Sequence, residues 1–467
     1  MAESKQEKTV FLEEEKPLIE LPALIKIFII FSALCVGVSL LVFPWQIVLV
    51  IYFGLVLSAI IFLNLYVGIL VFLIGAFFHP TYWLPALQEL HPARNLALAV
   101  LFIWAFHTII YRDFRLVKVP QNLFIAAFFL LAFITTFKEF DFSFPFWLEI
   151  AVKSLVIYFA ITNMIRTKGQ VVFLIWFIVG ISFVSALVGI YQYINHIGLY
   201  YAPEGILRIS GFAEDANVFA MDLTTALPLA IGFLFYYRRP IVRTLMSGIV
   251  ITLIVATMLS YSRAGLIQLL SVLFISVGIR IFRKRKILGL LLFVAAIGVF
   301  LPLVPSKYME RAQTMFKSGD TAIDVRLTGW KVGLELIKEH PIDGVGFGMF
   351  RYAFIEKAVT SSDIKYKEKL DAHNLYIQTG AELGLIGLIL LLLLISSTFK
   401  DFGIANNNFR EKNDPLLIEI SAALQISLLV YLLGGIFISY IQLQIFWIMI
   451  PLAVVLKQMS ASKEQLN

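Results

Sequence analysis

The chain has 467 residues, of which 60% are apolar and only 15% are charged, with a mean hydropathy of +0.87 and a formal net charge of +7. This composition excludes a soluble globular domain, in which apolar and charged residues are far more balanced. The single cysteine, Cys35, excludes an intrachain disulfide and a cysteine metal cluster. The basic residues form short clusters between apolar runs, which argues against nucleic-acid binding.

The amino-terminal segment, residues 1–23, is polar and acidic and contains Glu13, Glu14 and Glu15. It has neither a basic region nor a small-residue cleavage site ahead of the first apolar run, so we expect no removable signal peptide. The first apolar run, 24–43, is then a retained signal anchor.

Nearly uncharged runs follow along the chain, and each is long enough to cross about 30 Å of hydrocarbon as a helix. They predict an all-α, polytopic membrane protein with about 12–14 transmembrane helices and one long, helical outer loop. The predicted spans are 24–43, 45–62, 63–79, 94–111, 121–137, 148–166, 170–194, 217–236, 241–260, 264–282, 286–303, 374–398, 416–434 and 438–456. The predicted regions are a tail (1–23), a first transmembrane part (24–303), the outer loop (304–373), the last helices (374–456) and a second tail (457–467).

Basic residues concentrate in alternate connections, which the positive-inside rule places in the cytoplasm. We therefore expect both termini to be cytoplasmic and the other connections to face outward. The basic residues concerned are Arg112, Arg115, Lys118, Arg166, Lys168, Arg238, Arg239, Arg243, Arg280, Arg283, Lys284, Arg285, Lys286, Lys400, Arg410 and Lys412. The expected outer loops are 80–93, 138–147, 195–216, 261–263 and 304–373.

The outer loop 304–373 is the one connection of soluble-domain size. Apolar residues at helical spacing predict an amphipathic helix that lies on the membrane or on the bundle. The proline in His340-Pro341 should end this helix, because proline disfavours helical geometry in the residue before it. The apolar residues are Leu327, Trp330, Leu334 and Ile337.

Arg208 and Arg263 lie in loops that are expected to face outward, where the charge rule does not explain them. A guanidinium stays charged and binds phosphate oxygens with two parallel hydrogen bonds, which suits a diphosphate at a membrane surface. The alternative is that each arginine extends to lipid headgroups.

His373 lies where the outer loop enters an apolar helix, and Asp371 is a candidate N-cap. The positive end of a helix dipole disfavours imidazolium, and a neutral histidine can act as a general base. The carboxylate of Asp371 acts in the opposite direction, and an interfacial histidine bonded to headgroups or backbone is the alternative.

Glu382 falls inside a predicted span, on the same helix side as Gln378. An intramembrane carboxylate is a functional candidate, although the flanking Gly380 and Gly384 favour close helix packing and a structural role. The glycine-rich run 344–348 lacks a P-loop lysine, which argues against a nucleotide site. The histidines show no zinc-ligand spacing, and we predict no metal and no other cofactor.

Five motifs, given at the end of this paragraph in chain order, together resemble the O-antigen ligase and O-antigen polymerase superfamily over about residues 200 to 390. The chain departs from the family pattern at one point, because it has no proline before Asn217, where family members often have one. The motifs are Arg208-x-x-Gly-Phe with Asn217, Ser262-Arg-Ala-Gly265, Arg326-Leu-Thr-Gly-Trp330, His340-Pro-x-x-Gly-Val-Gly-Phe-Gly348, and His373-Asn374 followed by Glu382-Leu-Gly-Leu-Ile-Gly387.

The resemblance implies a membrane glycosyltransferase of the GT-C type that inverts the anomeric carbon and needs neither a metal nor a nucleotide sugar. Its donor would be an undecaprenyl-diphosphate-linked glycan at the outer face of the bacterial inner membrane. Its acceptor would be a hydroxyl of a lipid, a protein or a glycan. The resemblance makes His373 the catalytic base, Arg208, Arg263 and Arg326 the diphosphate ligands, and Asn217, Asn374, Asp371 and Glu382 supporting residues.

Two other readings remain open at the level of sequence. A polysaccharide polymerase would differ from a ligase only in using a second carrier-linked repeat as the acceptor. A transporter of a small anion would place ionisable residues near the bilayer midplane, and Glu382 is the main residue of that kind in this chain.

Overall fold

The computed structural model describes residues 45–78, 92–112, 117–197, 200–201, 207–213, 215–278, 321–362, 364–441 and 443–462, with isolated positions between 23 and 34. Most of the predicted span 24–43, all of the predicted span 286–303, and the first part of the outer loop lie outside the described residues.

The described chain is almost entirely helical. Its helices are α1 (Trp45–Leu63), α2 (Leu65–Phe77), α3 (Pro92–Tyr111), α4 (Pro120–Thr135), α5 (Phe140–Met164), α6 (Lys168–Asn195), α7 (Ala216–Tyr236), α8 (Pro240–Leu259), α9 (Arg263–Leu273), α10 (Thr321–Glu339), α11 (Phe350–Thr360), α12 (Leu375–Glu411), α13 (Pro415–Gly434) and α14 (Gln444–Ala461). A π turn at Phe274–Gly278 extends α9. Two short antiparallel strands of two residues each, β1 (Tyr200–Tyr201) and β2 (Leu207–Arg208), precede α7.

The architecture is that of an all-α polytopic membrane protein. Nine helices in the described part of the chain are long and apolar enough to cross a membrane. The helices α7 and α14 form the centre of the bundle. In each of them, 83% of the residues in the most apolar stretch are buried. Both must be apolar all round, because neither has a face turned to lipid or water.

Successive long helices run in opposite directions, so their connections alternate between two ends of the bundle. We call the end that carries residues 321–373 the loop end. The connections after α3, α5, α7 and α12, which include Arg112, Arg166, Arg238 and Lys412, all lie at the opposite end. The alternation of basic and non-basic connections in the sequence therefore matches the fold.

Two boundaries differ from the sequence-based prediction. Helix α5 begins at Phe140, inside the predicted outer loop 138–147, because Phe140, Phe144 and Trp147 stack on one another and continue the apolar surface. Helix α12 continues to Glu411, so Lys400 and Arg410 are helical and do not lie in a loop. Its polar extension is stabilised by an ion pair of 2.7 Å between Asp401 and Lys457.

The outer loop contains the predicted helix, α10, which ends at Glu339 just before His340-Pro341. Of the predicted apolar face, Ile337 lies against Gly380 of α12, whereas Leu327 and Leu334 are 53% and 50% exposed. The face that packs on the bundle consists of Gly329, Val332, Gly333 and Leu336, in which two glycines allow close approach. A second helix in this loop, α11, was not predicted.

The segment 341–348 is built into a break in α12. Gly384 has a φ of +67° and a ψ of −173°, which interrupts the helix. The Leu385 N–H, which loses its helical acceptor there, donates to the Pro341 carbonyl at 2.8 Å, and the Val345 N–H donates to the Ala381 carbonyl at 2.8 Å. Non-helical backbone within an apolar span is tolerated when protein groups satisfy its hydrogen bonds in this way.

Candidate active site at the loop end

One hydrogen-bond network joins the first two arginine motifs. The Arg208 guanidinium donates from Nε to the Ser260 carbonyl at 2.9 Å and from Nη2 to Asn217 Oδ1 at 2.8 Å. The Ser262 hydroxyl donates to the same Asn217 oxygen at 2.9 Å. Asn217, at the start of α7, thus links β2 to the turn between α8 and α9.

Arg263 is the first residue of α9, directly after the N-cap Ser262, whose Oγ accepts from the Gly265 N–H at 3.1 Å. A Cβ on Gly265 would come within 2.5 Å of Ala220, so this glycine allows α9 to pack closely on α7. The start of α9 adds the positive end of a helix dipole to the Arg263 charge. This corner of the bundle can therefore attract an anion.

Arg208 differs from Arg263 in its surroundings. Its side chain is only 8% exposed and carries the two hydrogen bonds described above. It therefore fixes the position of the Ser260–Ser262 segment, which carries Arg263. Arg208 thus holds Arg263 in place, which is consistent with the predicted diphosphate site. It also gives Arg208 a structural role in addition to the predicted one.

A glutamine that the sequence analysis did not select holds the turn after Arg208. Gln192, in α6, accepts from the N–H groups of Ser210 and Gly211 and donates to the Gly211 carbonyl at 3.1 Å. Gly211 has a φ of +55°, and a Cβ there would come within 2.4 Å of the Phe219 ring. Asp215, the N-cap of α7, accepts from the Asn217 and Val218 N–H groups and so fixes the local loop shape without a preceding proline.

His373 lies immediately before α12 and has a φ of +48°. The N-cap of α12 is Asn374, whose Oδ1 accepts from the Tyr376 and Ile377 N–H groups, so the prediction that Asp371 is the N-cap is wrong. Asn374 also donates from its backbone to Ser439 at 3.0 Å and from Nδ2 to the Ile436 carbonyl at 3.2 Å. These bonds attach the residue that follows His373 firmly to the connection between α13 and α14.

Asp371 forms a two-bond ion pair with Arg351 in α11. Arg351 Nε donates to Asp371 Oδ1 at 2.8 Å, and Nη2 donates to Oδ2 at 2.5 Å. Because this carboxylate binds a guanidinium, it is not available to cap the helix. The pair attaches α11 to the segment that leads into His373.

The surroundings of His373 favour its neutral form. Burial lowers the pKa of the imidazole below its usual value, and the charge of Arg326 lowers it further. Asp371 and Asp215 act in the opposite direction without reversing the shift, and Arg351 adds a smaller lowering effect. A neutral imidazole can accept a proton near pH 7.

Arg326 reaches His373 because α10 packs closely on the segment that precedes α12. A Cβ on Gly329, one turn after Arg326, would come within 2.9 Å of the Asp371 carbonyl oxygen, and one on Gly333 would come within 2.4 Å of Ile377. The electrostatic effect of Asp215 on His373 connects this group to the start of α7, where Asn217 binds Arg208. The structure thus brings Arg208, Asn217, Arg263, Arg326, Asp371, His373 and Asn374 to the loop end of the bundle.

Glu382 has a different setting. Its carboxylate accepts from the Gly348 N–H at 2.9 Å, from the Phe350 N–H at 3.4 Å and from Gln378 Nε2 at 3.1 Å. It therefore anchors the segment 341–350 to α12, which favours the structural reading over a role in chemistry. The same bonds occupy donors of the glycine-rich run, so this run is not shaped to hold a phosphate.

Two further ionisable residues escaped the sequence analysis. Arg351 lies in the long outer loop among several lysines, where no local pattern distinguishes it. Asp222 lies inside α7, and a carboxylate within a predicted span is itself a signal. Within the described residues, no group of three or more histidine, cysteine, aspartate or glutamate side chains is arranged to hold a metal ion.

The fold and the site together define a polytopic membrane protein that gathers arginines and a neutral histidine at one end of a helix bundle. Residues 226–392 match the family model described as O-antigen ligase, which supports the resemblance that the motifs carry. The matched residues include Arg263, Arg326, His373 and Glu382, whereas Arg208 and Asn217 precede them. A comparison with curated proteins gives no match.

Proposed function

We propose that the protein is an inverting membrane glycosyltransferase that moves a glycan from an undecaprenyl-diphosphate carrier to an acceptor hydroxyl during cell-surface polysaccharide assembly. The observation that carries this proposal is the placement of His373, whose pKa is lowered by burial and by Arg326, within an arginine-rich end of an O-antigen ligase-type bundle.

In the proposed reaction, the acceptor oxygen attacks the anomeric carbon while His373 takes the proton of its hydroxyl. The bond from the anomeric carbon to the diphosphate oxygen breaks, and its electron pair leaves with the diphosphate. Arg263, Arg326 and Arg208 supply positive charge where this negative charge develops, which stabilises the transition state. Inversion follows because the acceptor approaches opposite the leaving group.

The proposed location is the bacterial inner membrane, with the loop end outside and both termini in the cytoplasm. The basic connections at the opposite end of the bundle support this orientation. A polymerase that uses a second carrier-linked repeat as its acceptor would employ the same residues in the same roles. The ligase reading is kept first because the matched family model is described as O-antigen ligase.

The test is glycan transfer by purified protein in detergent from a carrier-diphosphate glycan to lipid, peptide and carrier-linked acceptors, with and without chelator. We expect chelator-resistant transfer to one acceptor class. His373→Ala should lower the rate by about 10²- to 10⁴-fold, the range for loss of a general base. Arg263→Ala should lower it by about 10²-fold, as for loss of one group that stabilises transition-state charge.

Two matched variants control for the substitutions themselves. His196→Ala removes an exposed histidine at the same end of the bundle, and Arg239→Ala removes an exposed arginine at the opposite end. Both should transfer glycan at the wild-type rate. Full activity of a folded His373→Ala protein would overturn the assignment of the base, and the absence of wild-type transfer to every acceptor would overturn the proposed function.

A further inference from the structure

A cleft of about 540 Å³ opens at the loop end of the bundle, and its lining contains none of the residues used by the chemistry described above. Its walls are the connection from α4 to α5, the end of α10 and one face of α11. The volume falls in the range of about 300–1,000 Å³ that is typical of small-ligand sites.

The lining of the cleft combines aromatic rings with carboxylates. The rings of Phe142 and Tyr352 lie 5.3 Å apart at an angle of 41°. Glu139, Glu339 and Glu356 also line the cleft. Aromatic faces pack against the C–H faces of sugar rings, and carboxylates accept hydrogen bonds from hydroxyl or ammonium groups. This combination suits a saccharide.

The charge of the cleft restricts which saccharides it can bind. Its lysines are matched by acidic partners, since Lys138 lies 2.6 Å from Asp343 and Lys357 lies 2.6 Å from Glu339. Glu139 and Glu356 add two further carboxylates, and the Lys369 ammonium over the Tyr352 ring offsets one of them. The lining therefore carries net negative charge and should disfavour phosphorylated or acidic sugars, because like charges repel.

The cleft is connected through α11 to the segment that carries the candidate base. Tyr352 is adjacent in α11 to Arg351, which binds Asp371, and Lys369 lies over the Tyr352 ring at 3.9 Å from its centre. The four residues from Lys369 to His373 span at most about 14 Å. The ion pair of Arg351 with Asp371 thus joins the helix that lines the cleft to the segment that leads into His373.

We propose that this cleft binds the acceptor as a neutral or amino-bearing saccharide and presents its hydroxyl to His373. The inference rests on the proposed transferase function. Because the cleft is lined for sugar rings, the acceptor is a glycan chain, and a phosphorylated lipid headgroup does not fit it.

Binding of free trisaccharides to the purified full-length protein in nanodiscs tests the cleft without requiring transfer. The probes are maltotriose, the trisaccharide of glucosamine and trigalacturonate, which are neutral, cationic and anionic. We expect the first two to bind more tightly than the third. Glu356→Gln should weaken binding of the cationic probe about 10-fold or more, because it removes a charged hydrogen-bond acceptor. Tight binding of trigalacturonate, or unchanged binding by Glu356→Gln, would overturn the proposal.

Transfer kinetics separate this inference from the proposed function. Glu356→Gln should raise the KM for the acceptor and leave the KM for the donor at its wild-type value, whereas Glu368→Gln, an exposed change outside the cleft, should alter neither. His373→Ala should bind the trisaccharides normally and fail to transfer. If His373→Ala abolishes transfer while Glu356→Gln keeps a normal acceptor KM, the result supports the proposed transferase function and contradicts the proposal that the cleft binds the acceptor. If the probes bind but the wild type transfers to no acceptor, the proposed function falls.

Discussion

At His373, burial and the Arg326 guanidinium act together to keep the imidazole neutral, while Asp371 opposes them. A general base works only in its neutral form, so its rate rises with pH through its pKa and is constant above it. Since this pKa lies below the usual value of about 6.5, we expect full activity at pH 7 and a fall only as the pH drops further.

Two substitutions should shift the rising, acidic part of the pH–rate profile (the acid limb) in opposite directions. Asp371→Asn removes a charge that raises the pKa, so the limb should shift to lower pH, and Arg326→Gln removes a charge that lowers the pKa, so the limb should shift to higher pH. The measurement is kcat against pH for both folded variants, with His196→Ala as the unaffected control. An identical limb in both variants would mean that a group other than His373 titrates.

The site residues that could be predicted from the sequence are those that break a local rule. Arg208 and Arg263 were found because arginine is unexpected in outward loops, and His373 because it lies at the entry to an apolar helix. Gln192 was missed, because nothing in an apolar helix pattern shows that its amide binds the backbone of Ser210 and Gly211. Asp371 was assigned to the wrong role, because its ion pair with Arg351 joins residues 20 positions apart.

Among the elements, the conformation of the segment 341–348 depends most on glycines with positive φ. Gly344 has a φ of +62°, and a Cβ there would come within 2.3 Å of the Glu382 backbone. Gly344→Ala should therefore lower the free energy of unfolding by at least about 1–3 kcal/mol, the usual cost of a strained backbone conformation. Loss of this contact should also displace α11 and reduce transfer.

Gly248→Ala is the matched control, because Gly248 lies inside α8 and a Cβ there would have nothing within 4 Å. Alanine favours a helix interior over glycine by about 1 kcal/mol, so this variant should be as stable as the wild type or more stable. Thermal unfolding in detergent measures both variants. Equal stability of Gly344→Ala and the wild type would show that the segment is not held as described.

Elements were predictable where the signal was local. The end of α10 follows from Pro341, and most of the described spans follow from uninterrupted apolar runs. The close approach of α10 to α12 was not predictable from apolar residues, because two glycines allow it while Leu327 and Leu334 are exposed. The break in α12 at Gly384 was also missed, since its stability comes from a segment about 40 residues earlier in the chain.

For the whole molecule, helix directions and charge agree on one arrangement. Within the described part of the chain, the connections that contain the predicted cytoplasmic basic residues share one end of the bundle, and the histidine and arginine site occupies the other. This agreement supports a cytoplasmic location for the basic end and an outer location for the site. A donor carried on a membrane lipid would then reach His373 from the outer leaflet.

Labelling of single cysteines tests this orientation in intact cells. With Cys35→Ser as the background, Glu368→Cys places a thiol at the loop end and Glu411→Cys places one at the end of α12, and both positions are exposed. A membrane-impermeant maleimide should label the first before permeabilisation and the second only afterwards, because the probe cannot cross the bilayer. The reverse pattern would put the site in the cytoplasm, where a donor exported to the outer leaflet could not reach it, and would overturn the proposed reaction along with the orientation.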